Sequence, residues 1–217
     1  MSKKTIAVLG GTGNLGHALA WRWARAGYPV IIGSRTAEKA AAAAAQINAR
    51  TGLQSATGTD NRAAVASAAI VVLAVPYAAH RDTLETVLPA LSGQIVVDTT
   101  VPLRPPKVST VQLPAEGSAA VQTQACVAGR ARVAAAFHNV AAGLLDTEAE
   151  IHCDVLVTAD DVEARKEVMQ LAEDAGCHAL NAGVLANAAA SEALTSVLIH
   201  INKTYKSGHA GIRITGL

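Results

Sequence analysis

The chain has 217 residues, enough for one well-filled core or two small lobes sharing one, and too few for two ordinary domains. It is 51% hydrophobic but only 3% aromatic, and the excess of alanine and valine suits buried parallel strands under closely packed helices. Lys and Arg (18) nearly balance Asp and Glu (17), and no basic run interleaves with aromatics, which argues against a nucleic-acid partner.

Thr5 to Leu9 is a short apolar run of strand type that passes directly into Gly10-Gly11-Thr12-Gly13-Asn14-Leu15-Gly16. Because the run stops at these glycines, the charged start Met1-Ser2-Lys3-Lys4 does not read as an export signal. From Asn14 to Gly27, Leu15, Leu19, Trp23 and Ala26 recur at helical spacing. Gly27-Tyr28-Pro29 breaks that helix and Val30 to Gly33 returns as a strand, so a right-handed βαβ unit is expected. Thr36 is placed to cap an alanine-rich helix to about Ala49, whose run Ala40 to Ala45 reads as a face lying close to a sheet. Asp60 is placed to cap a short helix through Ala68, and Ile70 to Val75 is continuously apolar, as in a strand covered on both faces. The uncharged stretch Ala63 to Ala79 is about long enough to span a membrane, but Pro76 and its alanine and serine content make it a helix end plus a strand. A helix from about Ala79 to Leu91 and a strand Ile95 to Asp98 follow. Four strands alternating with helices predict an α/β fold, a Rossmann-like doubly wound parallel sheet.

Leu103 to Gly117, with Pro105, Pro106 and Pro114, reads as a long connection, Ser118 to Ala128 as a helix and Val133 to Phe137 as a strand. A second part begins there, dividing the chain into a dinucleotide-binding region, 1–130, and a smaller C-terminal α/β lobe, 131–217. In that lobe Asp154 to Thr158 reads as a strand and Asp160 caps an amphipathic helix carrying Val162, Val168, Met169, Leu171 and Ala172. His178 to Leu180 is a short strand, and a last helix runs from about Ala188 to Tyr205. Its apolar face, Leu194, Val197, Leu198 and Ile201, suits either closure of the protein's own core or a dimer interface.

Gly11, Gly13 and Gly16 satisfy G-x-G-x-x-G between a strand and a helix, the arrangement that turns sharply, lets backbone approach a pyrophosphate and packs helix on strand. An NAD site places an acid at the end of the second strand, whereas this chain has Gly33-Ser34-Arg35-Thr36. Ser34, Arg35 and Lys39 offer donors and positive charge to a 2′-phosphate, so NADP(H) is the expected nucleotide. Thr12 either hydrogen-bonds a phosphate oxygen or simply tolerates the turn.

None of Tyr28, Tyr77 and Tyr205 is followed four residues later by Lys, which removes the Tyr-x-x-x-Lys acid pair of short-chain dehydrogenases. The seven histidines show no metal-ligand spacing with Cys126, Cys153 and Cys177, so no metal site is expected, and the thiols read as buried and reduced in a cytoplasmic protein. His138 is the one candidate catalytic residue, because it follows a strand at the carboxyl edge of the sheet, where ligands of such folds collect. Val75-Pro76-Tyr77 and Thr99-Thr100-Val101-Pro102 border the same edge; being apolar or neutral, they suit two flat rings held face to face for hydride transfer.

On these residues the sequence resembles the coenzyme F420-dependent NADP oxidoreductases. The likeness rests on Ile6 to Gly16, on Gly33-Ser34-Arg35 with Lys39, on Val75-Pro76-Tyr77 and on Val101-Pro102. It continues through Phe137-His138-Asn139, Asn181 to Asn187 and Gly208 to Ile212. It implies a cleft between the two lobes in which the deazaflavin ring of F420 stacks on the nicotinamide of NADP(H), the two small-molecule cofactors exchanging hydride, in a homodimer. By the same likeness Thr12, Asn14, Leu15, Ser34, Arg35 and Lys39 hold NADP, with Tyr77 near it, and Val101, Pro102, His138 and Leu185 lie toward the deazaflavin. Thr99-Thr100, Leu103 to Val108 and Asn139-Val140-Ala141 depart from the family pattern on the substrate side. The same fold and nucleotide also suit another acceptor (a flavin, quinone, ferric chelate or small imine) or a non-catalytic NADP(H) sensor.

Overall fold

A computed structural model describes residues 3–217. Eight strands form one sheet in the order β3-β2-β1-β4-β5-β6-β7-β8. They are β1 (Ile6–Leu9), β2 (Val30–Ser34), β3 (Ala56–Asp60), β4 (Ile70–Leu73), β5 (Ile95–Asp98), β6 (Arg132–Ala135), β7 (Asp154–Ala159) and β8 (His178–Asn181). The helices are α1 (Asn14–Arg25), α2 (Ala37–Thr51), α3 (Asn61–Ala66), α4 (Tyr77–Val87), α5 (Ala119–Val127), α6 (Ala142–Leu145), α7 (Val162–Asp174) and α8 (Ala188–Tyr205). Every pairing is parallel except β6 with β7. The segment between those two strands carries only the short α6 and no crossover helix, so the chain re-enters the sheet reversed.

The sheet is buried on both faces, as the unbroken apolar runs predict. Along β1, Ile6 and Val8 join one core and Ala7 and Leu9 the other. The first core is the larger, and its bulk comes from Trp21, Trp23 and Phe137, all at most 1% exposed. Trp23 meets Phe137 edge to face at 5.8 Å between ring centroids and donates its indole N–H to the Leu171 carbonyl at 2.9 Å. That pins α1 to α7, an early helix to the C-terminal part. Arg22 adds a clasp, its guanidinium donating to the carbonyls of Leu145 (2.7 Å), Ala175 (2.9 Å) and Thr147 (2.6 Å).

Three local expectations are corrected, and the packing of α8, left open between two readings, is specified. The edge strand β3 is added to the four strands read in the first half; Ala-Thr-Gly-Thr-Asp has no apolar run because only Ala56 is fully buried. Its Gly58 lies so close to the Ala40 backbone of α2 that a Cβ there would collide, which explains the alanine face of that helix. Asp161, not Asp160, caps α7, accepting from the Ala164 N–H at 2.6 Å. Thr36 stands at the N-cap of α2 without a side-chain capping bond. The buried side of α8 is small and polar (Ala188, Ser191, Glu192, Ser196, with Leu198), while Val197 on the expected apolar face is 43% exposed.

Candidate functional site

The turn after β1 is built from glycines with separable duties. Gly10 has φ +81°, and a Cβ on it would strike the Ala74 carbonyl; on Gly16 a Cβ would lie 2.5 Å from the Gly10 carbonyl oxygen. These two are demanded by the fold. Gly13, the N-cap of α1, is different, since a Cβ there meets only the Gly10 oxygen, at 3.3 Å. What a side chain at 13 would fill is the space in front of the helix N-terminus, whose first turn carries no acidic residue. A backbone cradle at a positive helix end, open on its outer side, fits a pyrophosphate.

A cavity of about 570 Å³ continues from the turn, lined by Gly10, Thr12 and Gly13, then by Ser34, Arg35 and Lys39 at the end of β2 and the start of α2. Val75 and Pro76 line it from the end of β4. Its remaining walls carry no motif in the sequence. Asp60, Asn61 and Arg62 enter because β3 pairs in register with β2, setting Asp60 beside Ser34. Asp60 uses Oδ1 to accept the N–H groups of Arg62 (3.0 Å) and Ala63 (2.9 Å) at the head of α3. Charged lining groups are thus three cations, Arg35, Lys39 and Arg62, and two carboxylates, Asp60 and Asp82. Asn14 lines a second polar hollow with Thr12 and Gly13, while Leu15 packs on the first core and Gly11 and Gly16 are buried.

Tyr77 does not line this cavity. Its hydroxyl donates to Gln122 of α5 at 3.1 Å, its ring stacks on His80 at 6.1 Å, and it lines a separate hollow of about 430 Å³ between α4 and α5.

At the carboxyl ends of β5 and β6 lies a buried polar cluster. Asp98, fully buried, accepts from His80 Nε2 (2.8 Å), from the Thr123 hydroxyl (2.5 Å) and from the Thr100 N–H (2.8 Å). Burial works to raise its pKa, but these donors and the charge of His80 outweigh it, and the net shift is downward. The carboxylate thereby fixes the start of the loop Thr99 to Pro102, in which Pro102 is buried and Val101 half-buried. Next to it Phe137 holds φ 67°, a backbone conformation rare for an aromatic residue, and His138 follows, 6% exposed. The His138 carbonyl accepts from Thr195 of α8 at 2.8 Å, and Asn139 donates to the Ser191 carbonyl at 2.8 Å, so the last helix straps this loop in place. Burial pushes the His138 pKa down to about 4, with the Asp98 charge opposing, and leaves the ring neutral. Ser191 Oγ lies 3.3 Å from Nδ1, while Nε2 has no partner, and neither does the buried Thr100 hydroxyl. Glu192, 1% exposed, accepts the first N–H groups of α5 from Ala119 (2.7 Å) and Ala120 (3.1 Å). Leu185, 1% exposed, is held by its N–H on Asp160 at 3.0 Å.

Asp98 closing an apolar strand was the one signal that could have revealed this cluster, since a buried carboxylate demands partners. His80, Thr123, Ser191 and Glu192 carry no sequence pattern. Cys153 and Cys177 are buried and unbridged, and burial pushes the Cys177 thiol up to about 12, well away from reactivity.

The sequence and the architecture have counterparts among known proteins. The family model described as NADP oxidoreductase, coenzyme F420-dependent, matches residues 5–102. An F420-dependent NADP reductase of Methanothermobacter thermautotrophicus is 41% identical over 98% of this chain and 95% of its own length. One from Methanocaldococcus jannaschii is 38% identical, covering 98% of each. A crystal structure from Arthrobacter sp. FB24, provisionally assigned as an F420-dependent NADP reductase, superposes with TM-score 0.81 at 26% identity over 97% of this chain and 99% of that one. With such likeness along nearly its whole length, the chain belongs to the F420-dependent NADP reductase family.

Proposed function

We propose that the protein catalyses reversible hydride transfer between NADPH and coenzyme F420. NADPH, F420 and a proton become NADP⁺ and reduced F420, the hydride passing directly from one ring to the other. The observation that carries this reading is full-length similarity to reductases named for it, joined to a cradle open where a pyrophosphate would lie.

In this reading residues 1–130 hold NADP(H). Gly11, Gly13 and Gly16 shape the turn; Thr12, Asn14 and Leu15 offer N–H and hydroxyl donors to the pyrophosphate; Ser34, Arg35 and Lys39 take the 2′-phosphate. Val75 and Pro76 border the nucleotide as it passes the end of β4, while Tyr77, on the far side of the α4 N-terminus, faces the separate hollow toward α5. Residues 131–217 complete the cleft, where Val101, Pro102, His138 and Leu185 flank the acceptor ring. The buried, neutral His138 directs an unpartnered Nε2 that can hydrogen-bond the acceptor without placing a charge beside the transferring hydride. The largely apolar surroundings hold the rings together and keep water away.

The protein works as a homodimer in the cytoplasm. Supporting the first are the half-exposed face of α8 around Val197 and the exposed Val184 and Tyr205; supporting the second are the three unbridged cysteines. Mixing the protein anaerobically with NADPH and oxidised F420 tests the activity. The deazaflavin's visible absorption should disappear, and its persistence at enzyme concentrations that bind NADPH would overturn the proposal.

A further inference from the structure

We infer that α4 reads the adenine base of the dinucleotide, with Asp82 as the acceptor for the exocyclic amine; this rests on the NADP(H) reading of the 570 Å³ cavity. Ala79, Asp82, Thr83 and Thr86 all line that cavity and fall at i, i+3, i+4 and i+7, one stripe of the helix. The Thr83 hydroxyl donates to the Ala79 carbonyl at 2.7 Å and the Thr86 hydroxyl to the Asp82 carbonyl at 2.8 Å. Both hydrogens are turned back onto the helix, so these side chains present lone pairs and methyl groups outward. Arg81, next to Asp82, is paired with Glu85 at 2.8 Å, so it does not neutralise the Asp82 carboxylate. The α4 wall therefore only accepts hydrogen bonds.

The elements lining the rest of the cavity bring mostly donors: Ser34, Arg35 and Lys39 at β2 and α2, and Arg62 at α3, beside the Asp60 carboxylate, whose Oδ1 is already taken by the N–H groups of Arg62 and Ala63. A ligand matched to such a cavity is anionic at one end and an N–H donor at the other. Adenosine 2′-phosphate has both properties, its phosphate accepting and its amine donating. Hypoxanthine carries an oxygen in place of that amine and a hydrogen on N1, and would set acceptor against acceptor where the amine met Asp82. Asn61, 9% exposed with an unpartnered Oδ1, and the Asp60 carboxylate offer other acceptors in the same cavity, so the assignment to Asp82 is decided by substitution.

The test is an equilibrium titration of the full-length protein with NADPH, its deamino (hypoxanthine) analogue and NADH. Wild type should bind NADPH about tenfold or more tighter than the deamino analogue, the size expected of a hydrogen bond to a charged group. Asp82→Ala should bring that ratio close to one, mainly by weakening NADPH. Asp82→Asn, whose amide can donate, should bind the deamino analogue better than wild type does. Asp82 is exposed, and circular dichroism checks that each variant folds. A wild-type ratio near one, or an undiminished ratio in Asp82→Ala, overturns the inference. Arg35→Ala separates the two levels of failure. If it weakens NADPH selectively while Asp82 variants leave the base ratio unmoved, only the base reading falls. If it changes nothing, the nucleotide reading of the cavity falls as well.

Discussion

The nucleotide cradle and the buried polar cluster at the ends of β5 and β6 are built on opposite plans. The cradle is local: Gly10 to Gly16 are contiguous, and Ser34, Arg35 and Lys39 follow one crossover later. Most of its candidate binding groups are exposed or half-exposed, and Gly13 and Gly16 meet the Gly10 backbone a few residues away, while Gly10 itself rests on the Ala74 carbonyl. The cluster draws His80 from α4, Asp98 from β5, Thr123 from α5, His138 from the end of β6, and Ser191 and Glu192 from α8, all of them buried. Affinity for a common nucleotide can come from backbone and exposed charge, whereas a hydride-transfer site needs fixed polar groups in a dry setting, which only tertiary packing supplies.

The contrast predicts that damage to the cluster appears as lost stability and damage to the cradle as lost affinity. Asp98→Ala should have the largest effect, destabilising by about 3–5 kcal/mol because His80 and Thr123 are left buried without their acceptor. Chemical denaturation measures it, and a loss below about 1 kcal/mol would show that the cluster is not coupled as described. His138 gives a pH signature. Its pKa in the fold is about 4 against an ordinary 6.5, so the unfolded chain takes up a proton between those values that the folded protein does not. Its contribution is intact above pH 6.5 and is lost as pH falls toward 4, by up to about 3 kcal/mol. Comparing wild type with His138→Gln across that range isolates the effect, and parallel curves would contradict it.

On the cradle side, Arg35→Ala should weaken NADPH by about 1.5–3 kcal/mol while nearly sparing NADH. Equal losses would mean that Arg35 does not meet the 2′-phosphate. The adjacent glycines sharpen the comparison further. Gly13→Ala should change stability by less than about 1 kcal/mol, since its Cβ needs the Gly10 oxygen to give only slightly, yet weaken NADPH at least tenfold. Gly16→Ala, whose Cβ meets backbone at 2.5 Å, should destabilise the fold itself. Identical behaviour of the two variants would erase the distinction between a glycine required by the ligand and one required by packing.

The legibility of each region in the sequence follows the same division. Buried parallel strands write continuous apolar runs, and Ile6–Leu9, Ile70–Leu73 and Ile95–Asp98 could be read directly. β3 could not, because an edge strand resting on Gly58 and one buried alanine leaves no hydrophobic period. With β3 missed, Asp60, Asn61 and Arg62 stayed invisible as walls of the cavity, although Asp60 was read correctly as a helix cap. The packing of α8 stayed open for a related reason. Its apolar stripe at helical spacing suited either the core or a dimer interface, whereas the helix turns Ser191, Glu192 and Ser196 inward, Glu192 accepting the N–H groups of Ala119 and Ala120. Hydrophobic periodicity identifies the face that avoids water; it carries no information about which polar groups a helix must satisfy.

The central claim is direct transfer of hydride between two cofactors held in one cleft, and isotope transfer tests it most directly. NADPH deuterated at the transferable position of its nicotinamide, reacted anaerobically with oxidised F420 and the protein, should yield reduced F420 that carries the deuterium. Reduced F420 labelled only from solvent, or NADPH oxidised while F420 keeps its absorption, would contradict the account.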